Sequence, residues 1–217
     1  MYFQQDTVMR LIEMLGAAFR QMMRLLDDTE AEIALDDAWH RLCGLKRATA
    51  EGMSVDALIA LLPPDRRLAM AELLAMEAKR FERRLDADDL RDKLHRALLL
   101  LLSTDDDTVA KLCAHRAKEL FQGCAEIVTP TQTTALLHFF ILGGAYALGE
   151  DVLFDQLRSL GRPADQAATL RAGQAFYERL QGLDDDRLAQ GNLPRDEVLQ
   201  GQAALKDWAA AHPQAQA

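Results

Sequence analysis

The sequence predicts an all-α protein made of antiparallel helical hairpins, with an N-terminal helical bundle leading into a C-terminal array of hairpins. Three observations predict it. Leucine and alanine dominate the apolar residues while valine and isoleucine are scarce, a balance that favours helix over strand. Apolar residues recur at the helical period through most of the chain. Cap and stop residues punctuate those stripes, whereas no alternating β-branched run lies between hairpin turns.

The first element spans residues 1–27. Val8, Leu11, Ile12, Leu15, Ala18, Phe19, Met22 and Leu26 share one stripe, and Arg10, Glu13, Arg20, Arg24 and Asp27 lie opposite. Thr29 and Glu32 have the spacing of a capping box, which starts a second helix with Ala31, Leu35, Ala38, Trp39 and Leu42 inward. Residues 46–53 read as a connector broken at Gly52. Ser54 caps a short helix to Leu61, which Pro63 and Pro64 close.

A longer helix is expected from Asp65 to Leu85, its stripe being Met70, Leu74, Ala78, Phe81 and Leu85. Asp86 starts the next, buried through Leu90, Leu94, Leu98 and Leu101. Thr104 and Asp105 open another, with Val109, Leu112, Cys113, Ala117, Leu120 and Phe121 aligned and Gly123 as its stop. Thr129 as cap, Pro130 as first helical residue and Gln132 as third form a complete helix start. Further helices are expected near 130–147, 149–160, 164–182, 184–190 and 195–211, before a frayed tail. The boundary before Thr129 divides the expected organisation into an N-terminal region, 1–124, and a C-terminal array of hairpins, 125–217.

The chain has 217 residues, 49% hydrophobic and 27% charged, enough for one sizeable core or two small ones. Its formal charge of −9 repels phosphate backbones, so no nucleic-acid partner is expected. The densest basic group, Lys79, Arg80, Arg83 and Arg84, falls at a helix end, where cations complement the carbonyl pole. Cys43, Cys113 and Cys124, with no secretory leader ahead of them, do not form a disulfide framework and point to a reducing cytoplasm. The apolar stretch Ala135–Leu148 is too short to span a bilayer and reads as a buried helix, so no membrane partner is expected.

Asp88, Asp89 and Asp92 have the spacing of the aspartate-rich motif that holds magnesium and a diphosphate in helical isoprenoid synthases. Asp151 and Asp155 could supply a facing pair. The competing explanation is acid at a helix N-terminus, a pattern repeated at Asp105–Asp107 and Asp184–Asp186. Cys113 and His115 diverge by roughly 200° on a helix and cannot share an ion. His40, His95 and His138 stand without ligand spacing. No phosphate-binding glycine loop, nucleophile elbow or zinc-protease pair occurs. Neither a cofactor nor a metal is therefore expected.

What remains is a methionine-bordered first helix. Met9, Met14 and Met23 lie at the edges of its apolar stripe, where an adaptable thioether can serve either core or partner. The expected function is a non-enzymatic adaptor or scaffold that binds a protein or peptide, or itself. The alternative is a magnesium-dependent enzyme acting on a diphosphate through Asp88, Asp89 and Asp92.

Two segments carry resemblances. Phe140, Gly144, Tyr146, Gly149 and Leu153 keep the order of large and small residues in a tetratricopeptide repeat, with Thr133 at its usual Trp position and Gly149 at its usual Ala. The opening Tyr2, Gln5-Asp6, Met9-Arg10 and Ile12-Glu13 resembles the start of a bacterial family of uncharacterised helical proteins that continue into tetratricopeptide-like hairpins. The resemblance implies a helical fold over nearly the whole chain and no assigned site.

Overall fold

The apolar stripes become twelve α-helices, and no strand forms among the described residues. The computed structural model describes residues 2–25 and 27–215, with the side chains of residues 2–5, 7, 21 and 22 also outside the description. The predicted stripe positions Met22 and Leu26, and the Tyr2 and Gln5 side chains of the opening segment, lie outside the described residues. The chain forms two compact units, Met1–Thr104 and Asp105–Ala217.

The first unit contains α1 (Tyr2–Arg24), α2 (Asp28–Cys43), α3 (Arg47–Glu51), α4 (Val55–Leu61), α5 (Pro64–Phe81) and α6 (Ala87–Leu102). α5 packs on α1, α2 and α6, while α4 packs on α6. Val8 and Leu15 of α1 are buried, as are Ala31, Leu35, Ala38 and Trp39 of α2. α1 stops three residues before the expected end. The reason is local: Asp27, in an extended conformation (φ −83°, ψ 128°), caps α2 by accepting from the Thr29 and Glu30 amides. That cap takes the place of the expected Thr29–Glu32 box. Ser54 caps α4 as predicted, accepting from Ala57 N at 3.2 Å, and Asp86 caps α6 through Asp89 N at 2.8 Å. The expected connector at 46–53 contains the short helix α3, closed by the backbone amide of Gly52.

The basic group at the end of α5 ties this unit together. Arg80 reaches Asp28 at 2.7 Å and the Leu25 carbonyl at 3.3 Å, and Arg84 meets Glu32 at 3.1 Å. Lys79 sits over the Phe19 ring. These cations fix the α1–α2 corner against α5, beyond complementing a helix pole.

The second unit contains α7 (Asp107–Cys124), α8 (Pro130–Gly143), α9 (Tyr146–Ser159), α10 (Pro163–Gln181), α11 (Asp185–Gln190) and α12 (Arg195–Ala211), with short 3-10 turns at Ala125–Ile127 and Pro213–Ala215. α7 packs on α8 and α9, and α10 packs on α8, α9 and α12. α7 thus falls in the unit that begins at Asp105, whereas the sequence reading divides the chain after residue 124. α7 ends at Cys124, one residue past the expected stop at Gly123; Phe121 and Cys124 are buried, and the Cys124 thiol donates to the Leu120 carbonyl at 3.1 Å. Leu112, at the edge of the α7 stripe, is exposed.

The predicted capping box is present at α8. Thr129 N donates to Gln132 Oε1 at 2.9 Å, and Gln132 N donates to Thr129 Oγ1 at 3.4 Å. The apolar run Ala135–Leu148 is not one helix: Gly144 takes a left-handed conformation (φ 66°) and ends α8, so that Tyr146 can begin α9. Phe140, Tyr146 and Leu153 are buried. Gly149 lies where a Cβ would come within 2.9 Å of the Phe176 ring and 3.3 Å of Phe140 Cβ, so α9 approaches both α8 and α10 closely there. No helix is long and apolar enough to cross a membrane among the described residues.

Gly143 marks the tightest crossing in backbone terms, since a Cβ there would stand 2.6 Å from the Ala110 carbonyl oxygen of α7. Gly143→Ala is expected to destabilise the second unit by about 1–3 kcal/mol, the usual cost of overpacking. Gly161→Ala, with nothing within 4 Å, should stay within about 0.5 kcal/mol. Urea titration of the two variants checks the contrast.

Candidate functional site

Three places on the described surface can be compared: the methionine edges of α1, a charged cleft in the first unit and an acidic cleft in the second. On α1, Val8 and Leu15 face inward, which leaves the stripe edges outside. Met9, Met14 and Met23 are 41%, 49% and 45% exposed. Along the helix Met9 and Met23 fall about 40° apart on one edge and Met14 on the other. These three side chains are not brought together into one patch. They border the buried stripe on both sides.

The charged cleft, of about 330 Å³, is formed by α3, α5 and α6. At its heart is Glu77, only 5% exposed. Lys93 Nζ donates to Glu77 Oε1 at 2.8 Å, and Arg47 Nε stands 4.0 Å from the same oxygen. Glu51 pairs with both cations, at 3.3 Å from Arg47 Nε and 3.7 Å from Lys93 Nζ. Arg47 also reaches Asp36 at 3.4 Å. Arg96 donates to the Ala50 and Met53 carbonyls, both at 3.0 Å, and so holds the end of α3 over the cleft. Glu77 Oε2 is buried and has no hydrogen-bond partner.

Asp89 and Asp92 line this cleft, but Asp88 does not. Asp88 is 2.9 Å from Arg91 in a solvent-exposed i,i+3 pair. The three carboxylates that the sequence groups by spacing are thus split between two environments. No group of three or more His, Cys, Asp or Glu side chains is placed to hold a metal among the described residues. Asp151 and Asp155, the suggested facing pair, lie in the second unit and are engaged by Lys118 at 2.5 Å and Arg158 at 2.5 Å respectively.

Sequence reasoning missed Glu77, Lys93 and Arg47. A signal was available: Glu77 lies seven residues after Met70 and four before Phe81, on the apolar stripe of α5. A charge on a buried stripe demands partners.

The acidic cleft, of about 400 Å³, lies between α9 and α12 and is lined by Glu150, Asp151, Glu197 and Phe154 among others. Tyr177 OH donates to Glu150 Oε1 at 2.5 Å. Gly201 allows this pair to lie against α12, since a Cβ there would stand 2.0 Å from Glu150 Oε1. Burial pushes the Glu150 carboxyl above its ordinary range, Asp151 and Glu197 push in the same direction, and the Tyr177 hydrogen bond opposes them. The Tyr177 hydroxyl is also raised, by burial first and then by Glu150.

The remaining candidates have structural roles. Cys43, Cys113 and Cys124 are free thiols in the buried interior. Burial pushes the Cys43 and Cys124 thiols up to about 12, which keeps them protonated and unreactive. His138 meets Arg179 at 3.1 Å and lies 4.0 Å from Asp105.

Fold and surface together define an all-α protein of two compact helical units, each with an open, charge-lined cleft between helices. Residues 2–209 match a family of unknown function, DUF6483, and the chain belongs to that family. No curated protein and no solved structure matches it.

Two outcomes follow from the cleft chemistry. Glu77→Ala leaves Lys93 and Arg47 without their central anion and is expected to cost about 3 kcal/mol of stability, measurable by urea unfolding. For Glu150 the sign is set by a carboxyl raised in the folded state. Its favourable contribution is present below the ordinary value of 4.5 and is lost as pH rises through the higher folded value. Glu150→Gln should therefore raise the melting temperature at pH 7, with the gain shrinking towards zero near pH 4 in a thermal-melt series.

Proposed function

We propose that this protein is a non-enzymatic interaction adaptor of the cytoplasm, receiving a helix or peptide of a partner protein on its helical-hairpin surface. The single observation that carries the reading is the exposure of Met9, Met14 and Met23 on a helix whose Val8 and Leu15 are buried. Methionine is flexible and polarizable, so it moulds to irregular apolar partners at little entropic cost beyond its own rotamers. Met9 and Met23, about 40° apart around the helix, offer apolar surface on the same side of it. Helix-in-groove and helix-on-helix recognition use this geometry.

The second unit supports the same reading. α8, α9 and α10 pack successively, with buried Phe140, Tyr146 and Leu153 and the close approach at Gly149. We read this as a tetratricopeptide-like hairpin, a scaffold type that works through the faces its stacked helices leave open. The diphosphate reading finds no comparable support, because Asp88 is turned away from Asp89 and Asp92.

The test separates core from partner surface on one helix. Met9→Glu with Met23→Glu should leave helical circular dichroism intact and shift stability by no more than about 0.5 kcal/mol, while association with the partner, or self-association in sedimentation velocity, falls at least about tenfold. Leu15→Glu should unfold the first unit. Equal destabilisation at the methionines and at Leu15, or unchanged association in the double variant, overturns the reading.

A further inference from the structure

We propose that the cleft formed by α3, α5 and α6 binds a small organic dication of the aliphatic diamine class. The site is separate from the methionine edges, so it stands or falls independently of the adaptor reading. Three features of the cleft select this chemistry.

The first is an unmet acceptor. Glu77 is more than nine-tenths buried, lines the cleft and has one oxygen held by Lys93 and one with no hydrogen-bond partner. A buried carboxylate oxygen without a donor is costly. The terminal torsion of a glutamate is soft, so the carboxylate can turn to present that oxygen to a donor in the cleft.

The second is the balance of charge. In the interior, Glu77 and Glu51 are matched by Lys93 and Arg47. Arg96 is spent on two backbone carbonyls. Asp89 and Asp92 are left at the mouth with no ion-pair partner among the described residues. The lining carries four carboxylates (Glu51, Glu77, Asp89, Asp92) against three cations (Arg47, Lys93, Arg96), so its unspent charge is negative. An anion would enter against that field, whereas a cation is drawn by it.

The third is spacing. Asp89 lies one helical turn before Lys93 on α6, which sets its backbone about 6 Å along the axis from the residue that meets Glu77. Leu74 and Leu85 supply apolar wall to the same cleft. A short diamine suits all three elements. One ammonium donates to Glu77, the methylenes lie along Leu74 and Leu85, and the second ammonium pairs with Asp89 and Asp92. A metal ion does not suit them, because no set of three ligating side chains is placed to hold one among the described residues.

Isothermal titration of the full chain with putrescine tests the proposal, with butylamine and inorganic phosphate as the other arms. Putrescine should bind saturably at one site, and butylamine about tenfold or more weakly. Asp89→Asn with Asp92→Asn, both on the exposed rim, should weaken putrescine by a similar factor while the fold, read by circular dichroism, stays intact and stability falls by no more than the small loss of an acid from the first turn of α6. Glu77→Gln should weaken it as well, read only in preparations whose circular dichroism matches the wild type. Absence of saturable putrescine binding, binding that the rim variant leaves unchanged, or tighter binding of phosphate would each overturn the proposal.

Discussion

Each long helix of this protein carries an apolar face that needs another helix, and that constraint organises both units. A 16- to 19-residue amphipathic helix such as α2 or α10 is marginal alone in water; packing of its apolar face supplies the stability that propensity does not. In the first unit the demand converges on α5, which packs on α1, α2 and α6 and buries residues around most of its circumference, from Leu68 and Ala69 to Met76 and Ala78. In the second unit it converges on α8 and α10, where Phe140, Phe176 and Tyr177 fill the space between helices.

The enclosure of α5 has a chemical cost and a consequence. A helix surrounded on so many sides has few positions left for charge, and Glu77 falls on a buried one. Its burial is tolerable because Lys93 and Arg47 come from neighbouring elements to meet it. The packing that makes the core thus also draws cations towards one carboxylate and leaves a cleft around them. In the second unit the same logic gives a milder result. Gly201 lets the Glu150–Tyr177 pair sit against α12, and the carboxyl there keeps part of its access to water.

Much of the fold was legible because helix starts are local. Ser54, Asp86 and Thr129 each act on the amide three residues on, so a short window of sequence suffices to find them. Asp27 was missed because two adjacent acids and a threonine all qualify as caps, and only the backbone turn chooses among them. Gly123 marks the end of α7 to within one residue, the buried Cys124 closing its last turn. The clefts were harder still. Asp88, Asp89 and Asp92 are neighbours in sequence but divide between solvent and cleft, while Arg47, Glu77 and Lys93 meet only through packing of separate helices. Spacing along one helix reports which face a side chain shares, not what the facing helix brings to it.

The first helix combines both lessons. Val8 and Leu15 of its central stripe are core, and its methionine edges are open because the helices beside it cover less than the full apolar arc. Oxidative footprinting of the methionines by mass spectrometry tests this division most directly. With dilute peroxide, Met9, Met14 and Met23 should convert to the sulfoxide well before Met70 and Met76, which are buried in α5. Oxidation of all five at one common rate, or protection of the α1 set beyond that of Met70, would contradict a helix that is core along its centre and open along its edges.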